Sequence, residues 1–260
     1  MERLDDDPCS RLALRRLTVD GTDFALTVTD AQCRKVYLPL ARLILHRAEA
    51  CGSARFMIGL AGPPGAGKTA AATILAALLR DILGGDAVVV VPLDGFHYPN
   101  MYLDAHVTDL PNGERVSLRS LKGRPCSFDG DRALAAFEEI RNGGEVSLPI
   151  YSRELHEPVE GALRVEPRHT LVLVEGNFLF LDSKPWKRIR GLFDLKVFVT
   201  EERELLEHRL LERHMRGGTP EDDARRRIAR VDAVNMDDVS GSKRFADVVI
   251  SPEARRLELI

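Results

Sequence analysis

A glycine-rich stretch of eight residues constrains the fold of this chain more than any other part of the sequence. It reads Gly62-Pro63-Pro64-Gly65-Ala66-Gly67-Lys68-Thr69. The continuous apolar run from Phe56 to Ala61 precedes it, and an Ala- and Leu-rich stretch follows it. Such an apolar run is typical of a strand buried on both faces of a parallel sheet, whereas Thr69 to Leu83 has helical periodicity. The sequence therefore predicts a strand, a glycine loop and a helix, in that order.

The glycine stretch matches the pattern G-x-x-x-x-G-K-[ST] in the strand–loop–helix context that the pattern requires. Its glycines allow a tight turn whose backbone N–H groups point at phosphates, next to the positive end of a helix. We therefore expect all eight residues to bind ATP, with Lys68 neutralising the β- and γ-phosphates and Thr69 binding Mg²⁺. The alternative interpretation is a glycine-rich turn that binds no nucleotide.

Other apolar runs separated by helical patterns extend this prediction to the whole fold. They predict an α/β protein with the doubly wound parallel sheet of P-loop NTPases, flanked by helices, with ligands at the carboxyl ends of the strands. The further predicted strands are Ala87 to Val91, Leu171 to Val174, Leu195 to Val199 and Ala246 to Ile250, and the further helices are Arg132 to Arg141 and Glu202 to Met215.

Residues 1–53 are predicted to form an N-terminal extension that packs on a main domain of residues 54–260. Alternating apolar residues around Asp20-Gly21-Thr22-Asp23 predict a small hairpin, and a helix is predicted from Thr29-Asp30 to about Cys51-Gly52. In the main domain, Pro99 to Asp129 is polar and irregular by pattern, so we expect a loop on the substrate side.

Two carboxylates directly follow predicted strands. Asp94 comes just after the second strand, where it can accept the proton of a hydroxyl in phosphoryl transfer. Glu175 follows Leu171 to Val174 and is expected to bind Mg²⁺ directly or through water. The alternative for both is an ordinary turn or helix cap. His97 is a candidate for substrate contact, with a structural histidine as the alternative.

Composition and charge exclude several classes of function. The formal net charge of −3 gives no field that favours nucleic acid, and no apolar run approaches the roughly 20 residues that span a bilayer. The first residues are acidic and lack an apolar stretch, so we expect a cytoplasmic protein without a membrane partner. The four cysteines are scattered without a CxxC pair, which favours free thiols over zinc ligands or disulfides.

With these motifs, the chain resembles the family of bacterial-type pantothenate kinase, uridine kinase and phosphoribulokinase among the P-loop kinases. The later part, with Arg213-His214 and Asp232-x-x-Asn235, looks more like the nucleoside/fructose-type kinases of that family. The resemblance covers most of Phe56 to Ile250. It is carried by Gly62 to Thr69, Asp94-Gly95-Phe96-His97-Tyr98-Pro99-Asn100, Lys122 to Asp129, Pro149-Ile150-Tyr151-Ser152-Arg153 and Val174-Glu175-Gly176-Asn177.

The resemblance implies a kinase that uses ATP and Mg²⁺ to phosphorylate a hydroxyl group of a small molecule, with Asp94 as the catalytic base. It also implies that Tyr151 and Arg153 border the acceptor pocket. His97 and Tyr98 are further candidates for substrate binding, because aromatic faces and donors can stack on a base or hydrogen-bond hydroxyls.

A lid is predicted over residues 209–230. Arg213 precedes the hinge candidate Gly217-Gly218 and is expected to stabilise charge on the transferred phosphoryl group. A second helix is predicted to start at Thr219-Pro220. The alternative interpretation of these arginines is a solvated basic helix face.

The favoured acceptor is a nucleoside or a sugar, with pantothenate as the alternative. Glu202 to Asn235 is shorter than the matching part of type-I pantothenate kinases, and the Arg-Asp pair of uridine kinase lids is not clearly present. Arg153 is able to clamp a carboxylate or phosphate, which keeps pantothenate and phosphorylated sugars open. A regulatory P-loop NTPase without an acceptor is the alternative of another class. A homodimer and a monomer both remain open.

Overall fold

The structure is a computed structural model that describes residues 7–13, 17–18, 25–110 and 113–260. The strands of these ranges are β1 (Leu17–Thr18), β2 (Ala25–Leu26), β3 (Phe56–Ala61), β4 (Val88–Pro92), β5 (Val107–Asp109), β6 (Arg115–Ser117), β7 (Val146–Ser152), β8 (Glu157–Val165), β9 (Leu171–Glu175), β10 (Leu195–Val199), β11 (Val248–Ser251) and β12 (Arg256–Leu259).

The helices are mostly short, and several are extended by π or 3₁₀ turns. They are α1 (Pro8–Ala13), α2 (Asp30–Gln32), α3 (Leu38–Cys51), α4 (Lys68–Leu83), α5 (Asn100–Ala105), α6 (Gly130–Arg141), α7 (Trp186–Arg190), α8 (Arg203–Arg216), α9 (Glu221–Arg227) and α10 (Ala233–Ser240). π turns span Cys33–Tyr37 and Ile228–Asp232. Among the described helices, none combines the length and apolar character that crossing a membrane requires.

A six-stranded sheet in the order β12-β11-β10-β3-β9-β4 forms the centre of the fold. All neighbouring strands pair in parallel except β12, which pairs with β11 in the antiparallel direction. The predicted α/β class with a doubly wound parallel sheet is therefore confirmed. The antiparallel edge strand β12 was not predicted, because its four residues are too few to give a clear alternating pattern.

The side chains of the central strands alternate between two apolar clusters, one on each face of the sheet. Ile58 and Leu60 belong to a cluster that includes buried residues of α3 and α4. Met57 and Ala61 belong to the cluster on the other face, with Phe137 of α6. Because both faces are covered by helices, β3 is buried and apolar at every position, as the sequence predicted, and most positions of the neighbouring β9 and β10 are apolar as well.

Arg55, the residue before β3, is 1% exposed and has no carboxylate partner among the described residues. Its guanidinium donates instead to four backbone carbonyl oxygens, those of Ile140 (2.9 Å), Gly144 (2.6 Å), Glu166 (3.0 Å) and His169 (3.1 Å). Burial lowers the pKa of Arg55. This side chain thus ties the start of the central strand to the end of α6 and to the turn before β9.

The described part of residues 7–53 contains the predicted strand pair and the predicted helix, together with α1, which was not predicted. β1 and β2 pair in the antiparallel direction, with Leu17 opposite Leu26, while the predicted turn Asp20 to Asp23 lies outside the described residues. Thr29 caps α2 through a reciprocal capping box with Gln32, and Gly52 ends α3 in the left-handed conformation at a φ of 63°. Buried side chains of this extension belong to the same apolar cluster as those of α4.

The prediction of four free thiols is wrong for two cysteines. Cys9 of α1 and Cys33 of the π turn form a disulfide with a Cα–Cα distance of 5.6 Å, and both are buried. Only Cys51 and Cys126 are free. The spacing along the sequence gave no signal of this pair, because the tertiary packing of α1 against the π turn brings the two residues together.

The stretch from Pro99 to Asp129 is not irregular, contrary to expectation. It contains α5, the β5–β6 hairpin and two 3₁₀ turns, Leu118–Leu121 and Pro125–Ser127. A second hairpin, β7–β8, was also not predicted. Both are built from short local pairings whose polar sequences lack a strong period. In the predicted lid region, Pro220 rather than Thr219 is the N-cap of α9.

Candidate active site

The predicted phosphate-binding loop connects β3 to α4 at the carboxyl edge of the sheet. Gly67 is the N-cap of α4 with a φ of 84°, a left-handed conformation that disfavours any residue with a Cβ. The loop is tightened by a hydrogen bond from the Ala66 N–H to the Pro63 carbonyl oxygen at 3.2 Å. The free N–H groups of the first turn of α4 therefore form an anion-binding end.

Lys68, the first residue of α4, folds its side chain back over the loop. Its ammonium donates to the Pro63 carbonyl oxygen at 2.9 Å, and the residue is buried. Burial is the main cause that lowers the pKa of Lys68 to about 8, although the carboxylates of Glu175 and Asp94 oppose this shift. A bound phosphate would stabilise the charged form of Lys68, so its ammonium lies where it can neutralise the phosphates of a nucleotide.

The side-chain oxygens of Thr69 and Glu175, the two predicted ligands of Mg²⁺, lie next to each other. The Thr69 hydroxyl donates to Glu175 Oε1 at 3.0 Å. Adjacent ligands of an octahedral Mg²⁺, each at about 2.1 Å from the ion, lie about 3 Å apart, so the pair fits this ion. No group of three or more His, Cys, Asp or Glu side chains suited to a metal occurs in the described ranges. One carboxylate plus nucleotide phosphates is the usual way in which Mg²⁺ is held.

Asp94 follows β4 in a 3₁₀ turn, Leu93–Phe96, at the same edge of the sheet as Glu175. The next residue must be glycine, because a Cβ on Gly95 would collide with the carbonyl oxygen of Pro149 in β7. This close approach brings β7 against the turn. As a result, Arg153, just beyond β7, lies with a guanidinium nitrogen 4.0 Å from Asp94 Oδ2.

His97 holds the Asp94 turn rather than standing alone. Its Nδ1 is 2.8 Å from the Asp94 carbonyl oxygen, so Nδ1 carries a hydrogen and donates it. Burial is the main cause that lowers the pKa of His97, which favours the neutral ring. The ring lies 3.8 Å from the Phe128 ring and 5.1 Å from the Tyr151 ring, measured between centroids.

The lid candidate Arg213 lies near the end of α8. Its guanidinium is 4.0 Å from Asp232 Oδ1, and His214 Nε2 is 2.9 Å from Asp232 Oδ2. Asp232 is buried and therefore fixes both basic side chains from the π turn before α10. After α8, Gly218 adopts a left-handed φ of 85°, where the chain turns toward α9.

Two cavities meet at the phosphate-binding loop. One is a cleft of about 680 Å³ and the other has a volume of about 500 Å³. Gly65, Lys68, Thr69 and Arg213 line both. The cleft also contains Asp94 and Glu175, whereas the second cavity is walled by residues of the N-terminal extension and by Pro252 and Glu253 after β11.

The structure brings most predicted site residues into the cleft. Lys68, Thr69, Asp94, His97, Tyr151, Arg153, Glu175 and Arg213 all line it. Tyr98 does not, since its ring stacks on that of Tyr102 at 4.2 Å between centroids. Gly62 and Pro63 are set back from both cavities, although the Pro63 carbonyl oxygen receives the Lys68 ammonium.

Several residues that line the cleft were not predicted as site residues. They include Arg119, Lys122, His156, Asn177, Arg227, Asp232 and Asn235. Asn235 is buried, and its Nδ2 donates to the Gly123 carbonyl oxygen at 2.8 Å, while its Oδ1 has no partner among the described residues. Lys122 and Gly123 belong to the Lys122 to Asp129 motif, and Asp232 and Asn235 belong to Asp232-x-x-Asn235. Both motifs contribute to the family resemblance, so they were the sequence signal that could have identified these residues as part of the site.

Comparison with known proteins agrees with this geometry. The model of the phosphoribulokinase / uridine kinase family matches residues 57–252, which is more than half of the chain. The chain belongs to this family. As a member of it, this kinase is an ATP-dependent enzyme that acts on small molecules. The matched range contains the glycine loop, Asp94, Glu175 and the predicted lid.

Relatives of this kinase carry several different names. It is 30% identical over 234 residues to the Escherichia coli (strain K12) protein YggC, covering 90% of this chain and 93% of that protein. It is 32% identical over 200 residues to a Schizosaccharomyces pombe protein named "Putative uridine kinase", covering 75% and 83%. A solved structure titled "putative fructose transport system kinase", from Silicibacter sp. TM1040, has a TM-score of 0.69, 28% identity, and coverage of 79% and 94%.

Proposed function

We propose that this kinase transfers the γ-phosphoryl group of ATP, with Mg²⁺, to a hydroxyl group of a small metabolite bound in the cleft beside Asp94. The single observation that carries the proposal is that Lys68, the Thr69–Glu175 pair and Asp94 line one cleft. Phosphate binding, metal ligands and a proton acceptor are the parts that phosphoryl transfer needs, and catalysis consists mainly of positioning them.

In the proposed reaction, Asp94 accepts the proton of the acceptor hydroxyl as its oxygen forms a bond to the γ-phosphorus. The bond from that phosphorus to the β,γ-bridging oxygen breaks, and ADP leaves. Lys68 and Arg213 stabilise the negative charge of the transferred group, and closure of α8 and α9 excludes water. Mg²⁺ supplies further charge neutralisation when bound to Thr69 and Glu175 with the nucleotide phosphates.

We propose that the second cavity receives the base of the nucleotide. It continues from the phosphate-binding loop and is lined by Val28, Gln32 and Tyr37 of the N-terminal extension as well as by Pro252. Under this proposal the extension is a wall of the nucleotide site and not only a cover for the apolar core. The helix that bears Gln32 is tied down by the Cys9–Cys33 disulfide.

The proposed acceptor bears several hydroxyl groups and is a nucleoside or a sugar ahead of pantothenate. Two features of the cleft support this. Tyr151 and His97 offer aromatic faces, and the buried Oδ1 of Asn235 is an acceptor for a ligand hydroxyl, because a buried polar atom without a partner is costly. A site built to pair hydroxyl groups strongly rejects analogues that lack them.

A coupled ADP-release screen tests the proposed function. The panel contains nucleosides, pentoses, hexoses, sugar phosphates, glycerate and pantothenate, with the Asp94→Asn variant as the background. Saturable ADP production that depends on a hydroxyl-bearing acceptor is expected. Rapid hydrolysis without any acceptor would favour a regulatory NTPase, and activity on pantothenate alone would reverse the order of acceptors.

A further inference from the structure

Three basic residues in the cleft have no part in the proposed phosphoryl transfer. Lys122, Arg119 and Arg227 line the cleft that contains Asp94 but not the cavity proposed for the nucleotide base. The nucleotide phosphates belong where the two cavities meet, at Gly65, Lys68, Thr69 and Arg213. The three cations therefore face the acceptor part of the cleft.

Tyr151 relates this basic group to the proposed catalytic base. Lys122 Nζ lies 5.1 Å from the centroid of the Tyr151 ring. The same ring is 5.1 Å from the ring of His97, whose Nδ1 donates to the Asp94 carbonyl oxygen. An acceptor lying along Tyr151 would thus have one end at Asp94 and the other at Lys122, a span that suits a small metabolite.

None of the three cations is neutralised by an ion pair within the described residues. The Lys122 ammonium donates to two neutral oxygens, Asn100 Oδ1 at 2.6 Å and the His156 carbonyl oxygen at 2.8 Å. Arg227 donates to the Lys122 carbonyl oxygen at 3.2 Å. Arg119 lies in the 3₁₀ turn Leu118–Leu121 and is exposed. Unneutralised cations that line a cleft attract anions.

The surroundings of Lys122 favour an anionic ligand as well. Burial is the main cause that lowers the pKa of Lys122, and Arg119 and Arg227 lower it further. Two acidic residues, Glu157 and Asp104, oppose this shift. Neither lines the cleft, and the Glu157 carboxylate accepts the backbone N–H of Asn100 at 2.9 and 3.0 Å. The carboxylates that line the cleft pair with other groups, among them Asp223 with Arg226 and Asp232 with His214, so a ligand anion would supply a charge partner for Lys122.

We propose, on the basis of the function proposed above, that Lys122, Arg119 and Arg227 form an anion subsite, and that the acceptor carries a carboxylate or phosphate group besides the hydroxyl that is phosphorylated. The substrate class is then a sugar acid, a sugar phosphate or a similar acidic polyol, which narrows the acceptor proposed above to its sugar class and excludes neutral nucleosides. Arg227 lies on α9, so the anion also contributes to holding α9 against the Lys122 loop.

Titration calorimetry on the full chain, saturated with Mg²⁺ and the β,γ-imido analogue of ATP, tests this subsite independently of turnover. The nucleotide analogue fills the phosphate site at Lys68. The probes are matched neutral and anionic pairs: ribose and ribose 5-phosphate, fructose and fructose 6-phosphate, glucose and gluconate, and pantothenol and pantothenate. At least one anionic member should bind roughly tenfold or more tightly than its neutral partner.

Two variants and one control assign the preference to the subsite. Lys122→Met and Arg119→Gln should each reduce the preference for the anionic member by roughly tenfold and leave the weak binding of the neutral member unchanged. Lys187→Met, an exposed lysine paired with Asp182 on the surface, is the matched control and should keep the full preference. Arg119→Gln remains decisive if Lys122→Met misfolds, because the exposed Arg119 side chain makes no hydrogen bond or ion pair with another described residue.

The results separate the subsite from the proposed function. Equal binding of neutral and anionic partners, no binding of any probe, or an unchanged preference in both variants would overturn the subsite. If the preferred anion binds but never stimulates ADP release, the subsite stands and the kinase proposal fails for that ligand class. If a neutral acceptor supports saturable turnover that Lys122→Met and Arg119→Gln do not alter, the kinase proposal stands and the subsite fails.

Discussion

Replacement of Asp94 by asparagine removes the proposed proton acceptor while it keeps the size of the side chain. The carboxylate lies just beyond the carboxyl end of β4, and a guanidinium nitrogen of Arg153 lies 4.0 Å from its Oδ2. Loss of a general base typically lowers turnover by about 10²–10⁴-fold, which corresponds to about 3–5 kcal/mol in the activation free energy. We expect a decrease of kcat in this range.

The same substitution should have little effect on the free energy of unfolding. The side chains of Asp94 and Arg153 are 41% and 50% exposed, and ion pairs between side chains this exposed contribute about 0.2–1 kcal/mol. The expected loss in catalysis is therefore several times larger than the expected loss in stability. A large decrease in kcat with an almost unchanged melting temperature is the predicted signature.

The assay combines steady-state kinetics at saturating acceptor, titration with Mg·ATP, and thermal unfolding. Asp131→Asn, at an exposed position in the first turn of α6, is the matched control and should keep full turnover. The Mg·ATP dissociation constant of Asp94→Asn should change little. If the variant loses Mg·ATP affinity and keeps its turnover at saturation, Asp94 is a metal ligand, and the proton acceptor is another group.

Three further predictions follow from buried groups. At pH 8, binding of Mg·ADP should take up about half a proton, because phosphate stabilises the charged form of Lys68, whose pKa is about 8. For the same reason, the affinity for Mg·ADP should decrease as the pH rises above 8. Calorimetry in buffers of different ionisation enthalpy measures the proton uptake, and equal uptake by Lys68→Met would contradict the prediction. Arg55→Met should lower the free energy of unfolding by about 3–5 kcal/mol, since four carbonyl oxygens lose a charged donor; an unchanged urea midpoint would refute this. Reduction of the Cys9–Cys33 disulfide, whose cysteines are 24 positions apart, should cost about 3 kcal/mol by chain entropy. Calorimetry with and without dithiothreitol measures that loss, and a Cys9→Ser/Cys33→Ser variant that still responded to the reductant would exclude this bond as the cause.

The sequence by itself determined the central part of this fold and the core of its site. Runs of mostly apolar residues predicted all five parallel strands, because strands covered on both faces are apolar at nearly every position, with Lys196 of β10 as an exception. The glycine pattern predicted a loop directly before α4, since glycine tolerates the left-handed φ that Gly67 adopts there. Asp94 and Glu175 could be assigned to one edge because parallel strands end at the same edge of a sheet.

Other features of this protein were decided only by the tertiary structure, because they depend on contacts between residues that are distant in sequence. The Cys9–Cys33 bond depends on how α1 packs, and the approach of Arg153 to Asp94 depends on the β7–β8 hairpin. The basic group around Lys122 is also assembled from separate segments, one of them on α9. Period and propensity describe one element at a time, whereas the charge that faces a cleft depends on how several elements meet. For that reason the motifs identified the chemistry, and only the folded chain brought together the residues that we propose recognise the acceptor.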